Sequence, residues 1–393
     1  MKERKTPFLC AITGMGALVS AAERTDQVWD MVLRGESILC DGRSVDPNAL
    51  PYPFFSVPDR TFEGGRRSQS VRDTLHLARK AACEAMADAR GIDLDRLGVF
   101  IGTTSGCALH FLKGYAACRT HEESNFQDIL SYFGNSLAFE LGQYVHAKGP
   151  CLVISNACTS GADAIGRGYD AIRMNLCDAV LCGGADTISL VSHTGFARLM
   201  VASQERSRPF DRNRCGLNLG EGAAMLLLES VDSVKRRNAA ILGYVAGYGS
   251  ASDAYHTTAP HPEAIGLRRA VDDVMREISV DELAFINAHA TGTRENDKVE
   301  GRFLKQFFPS VPIWASKSVT GHTLGCAGAL EALLCILALQ KGRLPATRNF
   351  HDMDPEINIV PTQEESVIHK PYALSTSLGF GGVNSALLLR RYG

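Results

Sequence analysis

Residues 151–174, CLVISNACTSGADAIGRGYDAIRM, and residues 313–340, IWASKSVTGHTLGCAGALEALLCILALQ, follow one plan. Each begins with a short apolar run suited to a strand, passes through a polar turn and enters a helix. In both, the helical part (161–174 and 325–339) is small or apolar around most of its circumference, which marks a helix packed on several sides. Other strand-like runs flank them: Phe8 to Thr13, Gly98 to Gly102, Ala179 to Cys182 and Ala223 to Glu229 before residue 240. After it come Ile241 to Gly249, Phe285 to Ala288, Ala373 to Ser377 and Ser385 to Arg390. Strands alternating with long helices imply an α/β layering in which helices cover the sheet faces. The recurrence implies a duplicated core, with one unit at 1–240, a second at 241–393 and the basic stretch 235–238, KRRN, as an exposed linker.

The composition agrees with a large α/β protein. The chain has 393 residues, 45% of them hydrophobic, with 37 Gly and 15 Pro. Lys and Arg number 41 against 43 Asp and Glu, a net charge of -2, so no global field draws the chain to nucleic acid or to a membrane surface. The 12 Cys form no C-x-x-C pair and scatter through apolar runs, which fits reduced thiols in the cytoplasm and no zinc site. No unbroken apolar run approaches the length of a membrane span. The first 23 residues have the basic start and small residues of a signal peptide, but Pro7, Thr13, Gly14 and Gly16 interrupt the apolar part. A strand running into a glycine turn is the expected structure there.

Polar residues gather at the strand ends, where open α/β sheets place their ligands. Cys158 stands at the mouth of the 161–174 helix, close to unpaired N–H groups and the positive end of the helix dipole, which favour thiolate over thiol. The segment 285–301, FINAHATGTRENDKVEG, offers His289, Thr291 and Thr293. The 313–340 segment offers Lys317 and His322, and Glu331 interrupts its apolar helix. A buried carboxylate needs a partner, and Lys317 is the candidate. Three glycines surround Phe380 in 375–389, STSLGFGGVNSALLL, so backbone N–H groups can approach a ligand. A cysteine, two histidines, a lysine and a source of N–H donors suit acyl-thioester chemistry. Neither histidine has a nearby acidic orienter in its motif, which suits hydrogen-bond donation, yet hydrolysis and carbon–carbon condensation both stay open.

These motifs together resemble the β-ketoacyl-[acyl carrier protein] synthases of the thiolase superfamily. NACTSG, NAHATGTREND, SKSVTGHTLGCAGALE and SLGFGGVN occur in order, with RPFDRNRCGLNLGEGA at 208–223 and SDAYHTTAP at 252–260 as further matches. The resemblance implies a duplicated, five-layered α-β-α-β-α architecture. It implies an acyltransferase in which Cys158 carries the acyl chain as a thioester. His289 and His322 would hydrogen-bond the malonyl thioester carbonyl during decarboxylation. The N–H groups of Cys158 and Phe380 would form the oxyanion hole, the Phe380 ring would act as a gate, and Lys317 and Glu331 would order the histidines. Thr291 and Thr293 would hold the phosphopantetheine arm of an acyl carrier protein, with no permanently bound cofactor. Arg66 and Arg67 would meet the acidic carrier, and the 151–155 strand would pair across a dimer, with a second copy or with a related chain-length subunit.

Two departures bear on the substrate. The segment between Lys113 and Tyr132 is shorter than in typical members. The turn after 98-GVFIG-102 reads Thr103, Thr104, Ser105, Gly106, so Thr104 and Ser105 would give a roomier or more polar acyl pocket, as in polyketide or polyene synthesis. Cys158, His289 and His322 oppose a reading as an inactive chain-length partner, and Cys158 opposes a decarboxylating initiator that lacks the nucleophile. The 14-GMG-16 of a dinucleotide fingerprint fails because Val19 stands where its third glycine belongs.

Overall fold

The computed structural model describes residues 8–44, 50–58, 61, 65, 71–106, 115, 119–120 and 136–393. Arg66, Arg67 and most of the segment between Lys113 and Tyr132 lie outside the described residues.

Ten strands form one sheet in two units of five. The first unit holds β1 (Cys10–Val19), β2 (Leu97–Gly102), β3 (Cys151–Ile154), β4 (Ala179–Asp186) and β5 (Gly222–Glu229). The second holds β6 (Gly243–Ser252), β7 (Leu283–Asn287), β8 (Ile313–Trp314), β9 (Tyr372–Gly379) and β10 (Val383–Arg391). The spatial order is β3-β2-β4-β5-β1 in the first and β8-β7-β9-β10-β6 in the second, which is one connectivity used twice. The pairing senses repeat as well: β2 is parallel to β3 and β4, as β7 is to β8 and β9. Antiparallel pairs then complete each unit through β5 and β1, and through β10 and β6. The units join where Cys10 and Ala11 pair with Val245 and Tyr244. β2, β4 and β5 are buried at every position, as strands covered on both faces must be.

Helices complete five layers. Outside the first unit lie α1 (Val71–Ala85) and α2 (Ser136–Tyr144). Two helices share the middle layer, α3 (Ser160–Arg173) and, later in the chain, α7 (Ala327–Lys341), and each touches both units. A short helix, α4 (Leu190–Arg198), lies beside the site, and α5 (Ile265–Met275) with α6 (Arg294–Phe307) covers the second unit. The small residues of α3 and α7 let their backbones meet: a Cβ on Gly328 would lie 2.9 Å from the Ala162 nitrogen.

Two expectations are corrected. The glycines at 14 and 16 make no turn, because β1 runs on to Val19 and a Cβ at either would collide with the Ala85 or Ala81 carbonyl of α1. The basic stretch near 235 is the end of a helix, Val231–Arg237, whose Arg237 is buried in an ion pair with Glu229. Leu324–Lys341 is, among the described residues, long and apolar enough by composition to cross a membrane, but 89% of it is buried inside the protein.

Candidate active site

Cys158 sits in the turn between β3 and α3 and is 4% exposed. Ala157 before it has φ +51°, an unfavourable left-handed conformation for a residue with a Cβ. Hydrogen bonds hold that turn. Asn156 N–H donates to Ser160 Oγ at 2.8 Å, and the Asp163 carboxylate accepts from Asn156 Nδ2 at 2.6 Å, from the Tyr248 hydroxyl at 2.9 Å and from Ser385. Tyr248 and Ser385 belong to the second unit, so the nucleophile's turn is anchored across the middle layer.

The thiol is pushed up to about 11, chiefly by burial; the Lys317 charge and N–H groups of Phe380 and Cys158 offset this only in part. The helix mouth therefore does not make a resting thiolate, contrary to the expectation from sequence, because desolvation of the anion outweighs the favourable groups. Those two N–H groups nonetheless both favour the anion.

Sγ of Cys158 and a ring nitrogen of each of His289 and His322 lie within 4.8 Å of one another, all three residues buried. The rings of His289 and His322 meet edge to face at 5.3 Å. Leu324 N–H donates to His322 Nδ1 at 3.1 Å. Lys317 Nζ has three acceptors for its three hydrogens: His289 Nδ1 at 3.3 Å, the His289 carbonyl at 2.6 Å and Glu331 Oε1. With both Nδ1 atoms accepting, each neutral ring carries its proton on Nε2. Burial and the Lys317 charge keep both rings neutral, His289 well below the ordinary range and His322 at about 3. These donor types suit a metal, but a metal at Nε2 would require each ring to reverse a tautomer that its Nδ1 partner opposes. Glu331 is 1% exposed, and burial raises it to about 7 against the attraction of Lys317.

A cavity of about 320 Å³ runs outward from Cys158, His289 and His322 past Thr291 and Thr293 to Met200 and Arg294 at its rim. The two threonine hydroxyls are 2.9 Å apart. Phe380 also lines it, stacked on Phe196 at 5.4 Å. Thr104 and Ser105 do not line this cavity: Thr104 Oγ1 donates to the Ala157 carbonyl at 3.1 Å, and the Ser105 hydroxyl turns to Asp186.

Sequence reasoning missed the buried carboxylates that fasten these loops. Asp186 accepts from Thr103 Oγ1 (2.8 Å) and from the N–H groups of Thr104 (2.7 Å), Ser105 (3.1 Å) and Gly325 (2.7 Å), tying the two strand-end turns together. Glu300 on α6 accepts from the N–H groups of His289 (2.8 Å) and Ala290 (2.7 Å) and from Thr376 Oγ1 (2.7 Å). Asp297, one turn earlier on the same face, accepts from Phe210 N–H at 2.7 Å. Their i, i+3 spacing with Val299 and Phe303 nearby was the available signal. Phe196 gave none.

The chain matches two family models, the Beta-ketoacyl synthase N-terminal domain over residues 10–233 and the Beta-ketoacyl synthase C-terminal domain over residues 242–351. It is 36% identical to a 3-oxoacyl-[acyl-carrier-protein] synthase 2 of Mycobacterium bovis, with 97% of both chains covered. Against the tetracenomycin polyketide synthase ketoacyl synthase alpha subunit of Streptomyces glaucescens it is 33% identical, covering 97% of this chain and 96% of that one. A solved ishigamide ketosynthase/chain length factor superposes with a TM-score of 0.84 at 27% identity, over 98% of this chain and 100% of its own. Fold, site composition and relatives agree, and the chain belongs to the β-ketoacyl synthase family.

Proposed function

We propose that the protein is a β-ketoacyl-[acyl carrier protein] synthase, an acyltransferase that lengthens a carrier-bound acyl chain by two carbons. Cys158 Sγ attacks the acyl thioester, and the departing pantetheine sulfur recovers the thiol's proton, so no standing base is needed. Malonyl thioester then enters. Its carboxylate leaves as carbon dioxide, and the electron pair of the broken bond passes into an enolate whose oxygen the Nε2 hydrogens of His289 and His322 face. The enolate carbon attacks the acyl-Cys158 carbonyl. The N–H groups of Cys158 and Phe380 hold the resulting oxyanion, and collapse expels the Cys158 thiolate, which takes up a proton from water to restore the thiol. Lys317 and Glu331 fix His289, and Thr291 with Thr293 grips the pantetheine arm.

One observation carries this reading over hydrolysis: Lys317 Nζ and Leu324 N–H meet the two Nδ1 atoms as donors, which leaves the proton of each neutral ring at Nε2 and no lone pair there. A cysteine hydrolase needs a base there. In Cys158→Ala, mass spectrometry with acyl carrier protein should find no acyl adduct on a folded enzyme; an adduct would reject the nucleophile. His322→Ala should suppress carbon dioxide release from malonyl carrier protein, and unchanged release would remove His322 from the mechanism.

The working unit is cytoplasmic and dimeric, with acyl carrier protein as the donor of both substrates. Residues 1–240 supply the nucleophile, and 241–393 supply the histidines, lysine and glycine loop. The partner subunit is a second copy or a related chain-length subunit: one relative is an alpha subunit and one neighbour a ketosynthase/chain length factor, whereas another relative is a 3-oxoacyl-[acyl-carrier-protein] synthase 2. Native mass spectrometry of the co-purified complex distinguishes two identical chains from two different ones.

A further inference from the structure

We propose that Phe196 is the positioning residue that seats the Phe380 gate and links its position to His322. This rests on the proposed condensing function and on the Phe380 ring being its gate, as the family resemblance implies. The Phe196 and Phe380 rings stack at 5.4 Å with 18° between planes, and the other side of the contact is edge to face, Phe196 to His322 at 6.4 Å. All three line the cavity that reaches Cys158, so the stacked pair forms part of its wall.

The two partners differ in freedom. Phe196 is 9% exposed and fixed on α4, whose first turn is closed by the Ser189–Ser192 capping box. Phe380 sits in a loop where Gly381 (φ +87°) and Gly382 (φ +77°) hold left-handed conformations and where a Cβ at Gly381 would meet nothing within 4 Å. Its ring and its backbone N–H, one of the groups that favour the Cys158 anion, belong to the same turn, so a shift of the turn alters both together. The turn is tied by backbone hydrogen bonds, Gly381 N–H to the Thr257 carbonyl and Asp253 N–H to the Gly382 carbonyl, each at 2.7 Å, so it is stacking on the fixed Phe196 that sets where the Phe380 ring lies along the cavity. An acyl chain arriving at Cys158 must break this contact, and the edge of Phe196 reports the change to the ring of His322.

Aromatic stacking shifts a two-state equilibrium by about two- to tenfold. The test is alkylation of Cys158, read on its own peptide because Cys215 is exposed in the same cavity. Phe196→Leu should react with N-dodecylmaleimide about two- to tenfold faster than wild type, while iodoacetamide, small enough to pass the stack, changes less than twofold. Phe196→Tyr keeps the ring and should restore the wild-type rate. Adding Phe196→Leu to Phe380→Leu should give no further gain. Unchanged or slower reaction with the long reagent, failure of the tyrosine variant, or additive effects in the pair would each overturn the assignment. Alkylation needs no turnover, so a wild-type enzyme that fails to condense malonyl and acyl carriers would sink the proposed function and leave this measurement standing.

Discussion

At Cys158 the decisive quantity is the cost of burying an anion. A thiol raised to about 11 is protonated throughout the physiological range, and the thiolate fraction, which sets nucleophilicity, rises with pH until that value is passed. The rate of iodoacetamide alkylation should thus climb roughly tenfold per pH unit from neutrality to beyond the ordinary cysteine value of about 8.5. A plateau near or below that value would show that the helix mouth wins after all. The sequence named Cys158, His289, His322 and Lys317 because reactive residue types at the ends of apolar strands are hard to explain otherwise. It misjudged the state of the thiol because the balance depends on depth of burial, which no motif spells. Phe196 was invisible for a related reason: an aromatic residue in an apolar stretch reads as core, and only the stacked ring beside it gives it another role.

The turns and helices that hold these side chains put Lys317 and Glu331 in a buried pair, both side chains 2% exposed. Such a pair contributes little net stability, but removing one member strands the other charge. Lys317→Met should cost about 3–5 kcal/mol in urea denaturation, because Glu331, already raised to about 7 beside Lys317, is left in α7 either ionised without a counter-charge or protonated at the cost of taking up a proton. The double variant Lys317→Met/Glu331→Leu should recover a large part of that loss without recovering activity, since His289 Nδ1 and its carbonyl still lack their donor. Equal loss in the single and double variants would mean that packing, and not stranded charge, sets the cost. The sequence reading anticipated this pair from one carboxylate in an apolar helix. It misplaced β1, where glycine pairs usually signal turns but here admit the backbone of α1. It also took the 235–238 stretch for a linker, because charge runs usually face solvent and nothing local reveals that Glu229 waits beneath Arg237.

Across the whole molecule, the duplicated strand order was legible in outline from the two matching segments, whereas the shared middle layer was not. That layer decides how the protein unfolds. Each of α3 and α7 packs against both units, β1 and β6 join the units into one sheet, and Asp163 on α3 binds Tyr248 and Ser385 from the other unit. Neither unit can bury its inner sheet face without the helix that the other shares, so loss of one exposes the other's apolar surface to water. The two tryptophans give one reporter on each side: Trp29 follows β1 and Trp314 lies in β8, at 2% and 0% exposure. The single-tryptophan variants Trp29→Phe and Trp314→Phe should give superimposable urea transitions by fluorescence, allowing for the modest shift that each substitution makes in the far-ultraviolet transition of the same variant. Two transitions separated beyond that shift would mean that the units unfold independently and that the middle layer is an interface between domains, not a common core.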